Sequence, residues 1–163
     1  MSIENVKAYF KQFNMEEKII EFPISSETVE LAAIALNVEP ARIAKTMAFL
    51  VSDRPILIVS AGDAKIDNRK YMDCFHTKAK MIKAEDVEIL VGHAVGGVCP
   101  FAIKENIVVY LDDSLKRFKT VFPGCGSGNS TIELTIDELE RFSNFNCWID
   151  VCKGWRNDSN ESF

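Results

Sequence analysis

The sequence predicts a mixed α/β domain of the α+β kind, one curved sheet of mixed strand directions with helices packed on its outside. Three observations carry this. Segments of strand and helix character are interleaved without the regular strand–helix–strand alternation of a parallel α/β fold. The 163 residues are the length of one ordinary domain, and 47% hydrophobic with 26% charged residues gives enough apolar material for a core. No internal repeat, low-complexity tract or linker divides the chain, so residues 1–155 read as a single domain and 156–163 as a polar, frayed tail.

The elements follow in order. Ile3, Val6, Phe10 and Phe13 recur at helical spacing with Ser2 as a candidate cap, and a short strand follows near Ile19 to Phe22. Ser26 is placed to cap a second helix, with Glu27 and Glu30 in its first turn and Val29, Ala32, Ala33 and Leu36 as its buried stripe; Asn37 and Pro40 stop it. The apolar runs Ile43 to Val51 and Pro55 to Ser60, joined by Ser52-Asp53-Arg54, read as a hairpin at the centre of the sheet. Asp67 caps a short helix burying Tyr71, Cys74 and Phe75; Glu85 opens another with Val87, Leu90 and Val91 inward, ended by Gly92. Ile107 to Leu111 is a strand, and Val121-Phe122 and Thr131 to Leu134 are strands flanking a Gly-rich turn, Pro123 to Gly128, that joins neighbours. Thr135-x-x-Glu138 is a capping box for a helix with Ile136, Leu139 and Phe142 inward, and Cys147 to Val151 is the last strand.

Composition excludes several classes. No stretch nears the roughly 18 apolar residues of a membrane span, and the N-terminus lacks the basic-then-apolar order of a signal peptide, which places the chain in the cytoplasm without a membrane partner. The five cysteines contain no C-x-x-C pair, so reduced thiols are expected, with neither a disulfide framework nor a zinc cage. A net charge of −5 argues against DNA binding through a broadly basic surface; any RNA contact must be local.

Five features bear on chemistry, most of them with a plainer reading alongside. Lys45 shares a strand face with Met47, Phe49 and Val51, as a snorkelling lysine or as an anchor for a phosphate or carboxylate. Gly92 to Phe101, with Gly96, Gly97, Val98, Cys99 and Pro100, is either a tight turn or a loop whose backbone N–H groups meet a ligand. The turn Gly124 to Asn129, with Gly126, Ser127 and Gly128, lacks the Gly-Lys-Ser/Thr ending of a P-loop, so ATP is not indicated. His93 and Cys99 raise a cysteine-nucleophile alternative, against which stands the commoner fate of a packed thiol. The segment His76-Thr77-Lys78-Ala79-Lys80, with Lys83 beyond, is solvated surface or a local basic patch for an RNA backbone.

Together these pieces resemble the YbaK/ProRS-associated family of aminoacyl-tRNA editing deacylases. The resemblance runs from about Phe22 to Cys152 and is carried by Ala44-Lys45-Thr46, Gly62-Asp63 with Asp67 and Lys70, Gly96-x-x-x-Pro100, Tyr110-Leu111-Asp112 and the Gly-rich turn before Ile132-Glu133-Leu134. It implies a barrel-like mixed sheet flanked by helices and hydrolysis, in trans, of the ester on a mischarged tRNA of the Cys-tRNA(Pro) or Ala-tRNA(Pro) type. It further implies that Lys45, with Thr46 beside it, holds the tRNA acceptor end, that Gly96 to Pro100 surround the ester carbonyl, and that Gly126-Ser127-Gly128 close the pocket. No cofactor and no metal are implied, because an activated ester needs a positioned water and a stabilised oxyanion. Prolyl-tRNA synthetase is the implied protein partner. The alternative is a non-catalytic module of the same fold that binds aminoacyl or nucleotide ends. Two departures, Val91 where Thr is frequent and Cys99 where many members carry Ser, bear on the pocket; Phe22, Ile24 and Val29 are pocket residues too variable to name the amino acid.

Overall fold

The computed structural model describes residues 2–23 and 28–156. Ser26, Glu27, Ile24 and the tail from 157 onward lie outside the described residues. Ten strands and five α-helices follow in the order α1 (Ser2–Lys11), β1 (Ile19–Glu21), α2 (Val29–Leu36), β2 (Ile43–Val51), β3 (Arg54–Ala61), β4 (Lys65–Ile66), α3 (Asn68–Phe75), α4 (Ala84–Val91), β5 (Val108–Asp112), β6 (Thr120–Pro123), β7 (Ser130–Ile132), β8 (Leu134–Thr135), α5 (Ile136–Ser143), β9 (Cys147–Ile149) and β10 (Cys152–Lys153).

Six strands form a curled half-barrel sheet in the order β8-β6-β2-β3-β5-β9, with β2 and β3 at its centre. The β2–β3 hairpin is antiparallel, closed by Ser52 and Asp53 at positive φ, while β2–β6, β3–β5 and β5–β9 are parallel, so the sheet is mixed. Two short antiparallel pairs, β1–β7 and β4–β10, complete the strands.

Alternation along the hairpin loads both faces. Ala44, Ala48, Leu57, Val59 and Ala61 join Val6 and Phe10 of α1, Val87 and Val91 of α4, and Leu139 and Phe142 of α5 in the main core. Phe49, Ile56 and Ile58 point the other way, against Tyr71 of α3, Ala64, Val151 and Cys152. Ile43, at the start of β2, packs instead with Ala32 and Ala33 of α2 and with Phe122. Lys45 therefore stands on the face shared by the α2 and α3 packings, one position along from Ile43.

Local signals set most helix ends. Asp67 accepts from the N–H groups of Arg69 and Lys70 at the start of α3, and the Thr135–Glu138 box is complete at α5. Asn37 and Gly92 close α2 and α4 in the left-handed conformation. Four expectations are corrected. Thr28, not Ser26, caps α2, its hydroxyl accepting from the N–H of Leu31. Ser2 lies inside α1. Cys74 is exposed, because Tyr71 and Phe75, four apart, take the face of α3 that meets the sheet. The strand expected from Thr131 to Leu134 is split at Glu133: β8 pairs with β6, while β7 pairs with β1 and meets the end of β6 through a bridge between Thr131 and Gly124.

Candidate active site

The site arises from a gap in the sheet. β6 pairs with β2 only at Ile43 and Ala44. The outer edge of β2 is next covered farther along, by residues 80–82: the N–H of Ile82 donates to the Ala48 carbonyl (3.0 Å) and the N–H of Leu50 to the Lys80 carbonyl (2.8 Å). Met81 bridges Phe49 between them. Backbone groups of alternate residues share an edge, so Thr46 faces the uncovered interval between Ala44 and Ala48. Its Oγ1 is buried with no hydrogen-bond partner, a cost a protein rarely carries without use.

A cavity of about 370 Å³ opens there, walled by β2 from Ile43 to Ala48, Thr28, Val29 and Ala32 of the α2 region, Met81 and Ile82, the loop residues Val95, Gly96 and Val98, and Gly124, Ser127, Ser130 and Thr131. Its walls are mostly apolar, and among the described residues Lys45 is the one charged side chain on them.

Lys45 is half-buried, and its ammonium donates to the Ala64 carbonyl. Burial pulls its pKa below the usual lysine value, with Asp63 pushing the other way. Asp63 itself holds a two-pronged ion pair with Arg117, at 2.6 and 2.9 Å. Thr46, Gly96, Val98 and Ser127 share the cavity with Lys45. The Ser127 hydroxyl is 2.6 Å from that of Ser130 and 3.0 Å from Asn129 Oδ1, which holds the turn closed on itself.

Gly97 and Gly126 stand behind the wall, where the two loops meet. A Cβ on Gly97 would lie 2.7 Å from the Gly126 carbonyl oxygen, and one on Gly126 would lie 2.8 Å from the backbone of Ser2, so each approach requires glycine. The first turn of α1 thus braces the Gly-rich turn, which braces the Gly96 loop. The N–H of Gly97 donates to the Ala94 carbonyl at 2.9 Å. That bond removes it as a donor to a ligand, contrary to the expectation from sequence, and leaves Gly96 and Val98 as the loop's candidate donors. Gly128 belongs to the turn and stays off the cavity walls.

Three further expectations are corrected. Pro100 turns to a different hollow, shared with Tyr9, Ala102 and Arg141. Phe22 is off the cavity walls; its backbone pairs with Asn129. Cys99 does meet His93, with Sγ 3.5 Å from Nε2, yet it is fully buried and off the walls. His93 Nε2 lies 2.6 Å from the Phe101 carbonyl, so that nitrogen carries the proton and cannot take one from the thiol. Burial pushes the thiol up to about 12. The geometry disarms the cysteine-nucleophile alternative.

Residues 80–82 were missed as a wall. The alternation Lys78-Ala79-Lys80-Met81 is the strand signal that marks them, hidden by the run of lysines. Among the described residues no cluster of three or more His, Cys, Asp or Glu could hold a metal ion, and no helix is long and apolar enough to cross a membrane.

Comparison with known proteins gives a consistent set of likenesses. A model of the aminoacyl-tRNA editing domain matches residues 25–142. The uncharacterized protein YwhH of Bacillus subtilis (strain 168) is 53% identical over 156 residues, covering 95% of this chain and 99% of that protein. EbsC of Enterococcus faecalis (strain ATCC 700802 / V583), a proposed Cys-tRNA(Pro)/Cys-tRNA(Cys) deacylase, is 24% identical over 86% of this chain and 88% of its own. The proline–tRNA ligase of Aquifex aeolicus (strain VF5) is 31% identical over 65% of this chain, which spans only 20% of that ligase. Among solved structures, a proposed trans-editing enzyme for prolyl-tRNA synthetase superposes with a TM-score of 0.83 at 25% identity, covering 94% of this chain and 98% of that one.

Proposed function

Because this chain belongs to the aminoacyl-tRNA editing domain family, we propose that it is a trans-editing deacylase that hydrolyses the ester of a mischarged tRNA, of the Cys-tRNA(Pro) or Ala-tRNA(Pro) type. The observation that carries the reading is the cavity at the gap in the sheet, about 370 Å³ and mostly apolar, with Lys45 and Thr46 among its walls. Such a mostly apolar chamber suits a small uncharged side chain and, among the described residues, offers nothing to pair with a basic one.

The chemistry asked of it is modest. An aminoacyl ester is already activated, so a water attacks the carbonyl carbon, the carbonyl oxygen takes negative charge, and collapse releases the amino acid and the ribose hydroxyl. In this reading the N–H groups of Gly96 and Val98, two residues on the cavity wall, hold that oxyanion, in a loop backed by Gly97 and Gly126. Lys45 exchanges the Ala64 carbonyl for the terminal phosphate or adenosine, and Thr46 offers its edge backbone groups to the aminoacyl moiety. The neighbouring ribose hydroxyl orients the water. The protein works in the cytosol beside prolyl-tRNA synthetase, on the errors that enzyme releases.

The test is release of free amino acid from a panel of mischarged tRNAs by the wild-type chain and by Lys45→Ala. Selective turnover that falls roughly 100-fold in the variant, with its thermal transition kept, is the expected result. Turnover no faster than in buffer for every tRNA replaces this reading with the non-catalytic binding module.

A further inference from the structure

The deacylase reading leaves one feature unused: the lysines on the segment that forms the far wall of the cavity. From His76, which ends α3 in the left-handed conformation, the chain runs to Ala84 without an acidic residue and carries Lys78, Lys80 and Lys83. All three are exposed, and none of the ion pairs among the described residues includes them. Another basic cluster, Lys116 and Arg117, is by contrast paired with Asp113 and Asp63. Glu85 and Asp86 follow in the first turn of α4, where the helix N-terminus accounts for them.

Position makes the cluster specific. Residues 80–82 are pinned to β2 by two backbone hydrogen bonds, so they form a fixed strap instead of a loose loop. Met81 and Ile82 line the cavity while Lys80 and Lys83 stand immediately beside them in the chain. At roughly 3.3 Å per extended residue, every one of the three amines is rooted within about 10 Å of a cavity wall. Met81 and Val95 are themselves 60% and 61% exposed, which gives the mouth apolar lips on both sides.

Resting on the reading that the cavity receives a tRNA 3′ end, we propose that the strap from Lys78 to Lys83 docks the phosphate backbone of the tRNA acceptor stem. A nucleic-acid strand whose end enters at Thr46 and passes between the lips must run its phosphates over these amines. The net charge of −5 disfavours a broad electrostatic contact with the rest of the tRNA. The strap then supplies affinity and register while leaving the ester chemistry to the cavity.

The experiment measures binding of labelled, uncharged bulk tRNA as a function of salt, for the wild type, for Lys78→Ala/Lys80→Ala/Lys83→Ala and for a control triple, Lys11→Ala/Lys18→Ala/Lys104→Ala, which removes equal charge from exposed positions elsewhere. The strap variant is expected to bind at least tenfold more weakly, and its plot of log affinity against log salt is expected to flatten by about 0.7–0.9 per lysine lost, while the control keeps most of the affinity. Hydrolysis of an aminoacyl ester of adenosine, which has no stem, should be equal in the wild type and the strap variant. Equal tRNA binding by strap variant and wild type, or equal losses in the two triples, overturns the docking surface. Tight, strap-dependent binding by a protein that hydrolyses no ester leaves the docking surface standing and removes the deacylase reading alone.

Discussion

The residues of the family pattern on the two flanks of the central hairpin differ in how far they are satisfied, although the Tyr71 hydroxyl and the Trp155 ring N–H on the α3 side are also buried without a partner. On the flank where β3 runs into β4 and α3, the charged residues of the family pattern are paired. Asp63 grips Arg117, Asp67 caps α3, and Lys70 bonds Asp150 and the Cys152 carbonyl. Asp112, fully buried, accepts from the N–H groups of Val151 and Ser114, while the Ser114 hydroxyl accepts from the N–H of Ala61. On the flank where β2 opens onto the cavity, the Thr46 hydroxyl has no partner, the Lys45 ammonium rests on a single carbonyl, and the strap lysines form no ion pair. Residues of one sequence pattern thus divide by satisfaction: the satisfied ones hold the fold, and the unsatisfied ones wait for a ligand.

The sharpest way to break this division is Asp112→Ala. Removing the carboxylate strands two backbone N–H groups in the interior, at about 1–3 kcal/mol each, so a loss of about 3 kcal/mol or more is expected in a denaturant titration. The activity of the molecules that remain folded should match the wild type. Lys45→Ala should show the mirror image, with large loss of turnover and a stability unchanged or raised, because a half-buried ammonium is costly to keep. A variant of Asp112 that folded normally but lost turnover would erase the distinction between the flanks.

Gly97→Ala probes the seam between the flanks' loops. The added methyl would overlap the Gly126 carbonyl, and overpacking of this kind costs typically 1–3 kcal/mol. Parting the two loops would relieve the strain, and that moves Gly96 and Val98 on the cavity wall. Turnover on a cognate mischarged tRNA is expected to drop about tenfold or more, by the sensitivity of catalysis to misplaced groups, with a smaller fractional loss of stability. Unchanged turnover would show that the loop contact has no bearing on the site.

How much of this could be read in the chain depended on range. The caps at Asp67 and Thr135, the stops at Asn37 and Gly92, and the hairpin across Ser52 and Asp53 are written within four or five residues, and each is found where its chemistry places it. The cavity is not local. It depends on β6 leaving β2 after Ala44 and on residues 80–82 joining at Ala48, two registers separated by some forty residues of chain. No spacing within either segment specifies that meeting. Lys45 and Thr46 could be singled out from the family pattern, but the partnerless state of Thr46 follows only from what fails to cover it. The pairing of β7 has the same origin: β1, more than a hundred residues earlier, takes the second edge of Thr131, which also bridges Gly124.

Cys99 gives the smallest expected effect and tests the division from its other side. It sits beside an imidazole, within the loop that walls the cavity, and by sequence alone it has the profile of a nucleophile. In the fold it behaves as a satisfied residue: it is fully buried, its thiol points to the Phe101 carbonyl at 3.6 Å, and burial holds its pKa up near 12. An ordinary thiol ionises several units lower, so at pH 7 to 9 Cys99 is essentially all thiol and contributes no inflection to a pH–rate profile in that range. Cys99→Ser keeps the size and the donor, and should change turnover less than about threefold, as expected for a near-isosteric swap. Treatment of the wild type with iodoacetamide at pH 8 should label the exposed Cys74 and Cys147 ahead of the buried Cys99, Cys125 and Cys152, read by peptide mass, with deacylation retained. Loss of activity in step with labelling of Cys99 would mean that the loop opens far enough to expose the thiol, and would move this residue from the satisfied flank to the reactive one.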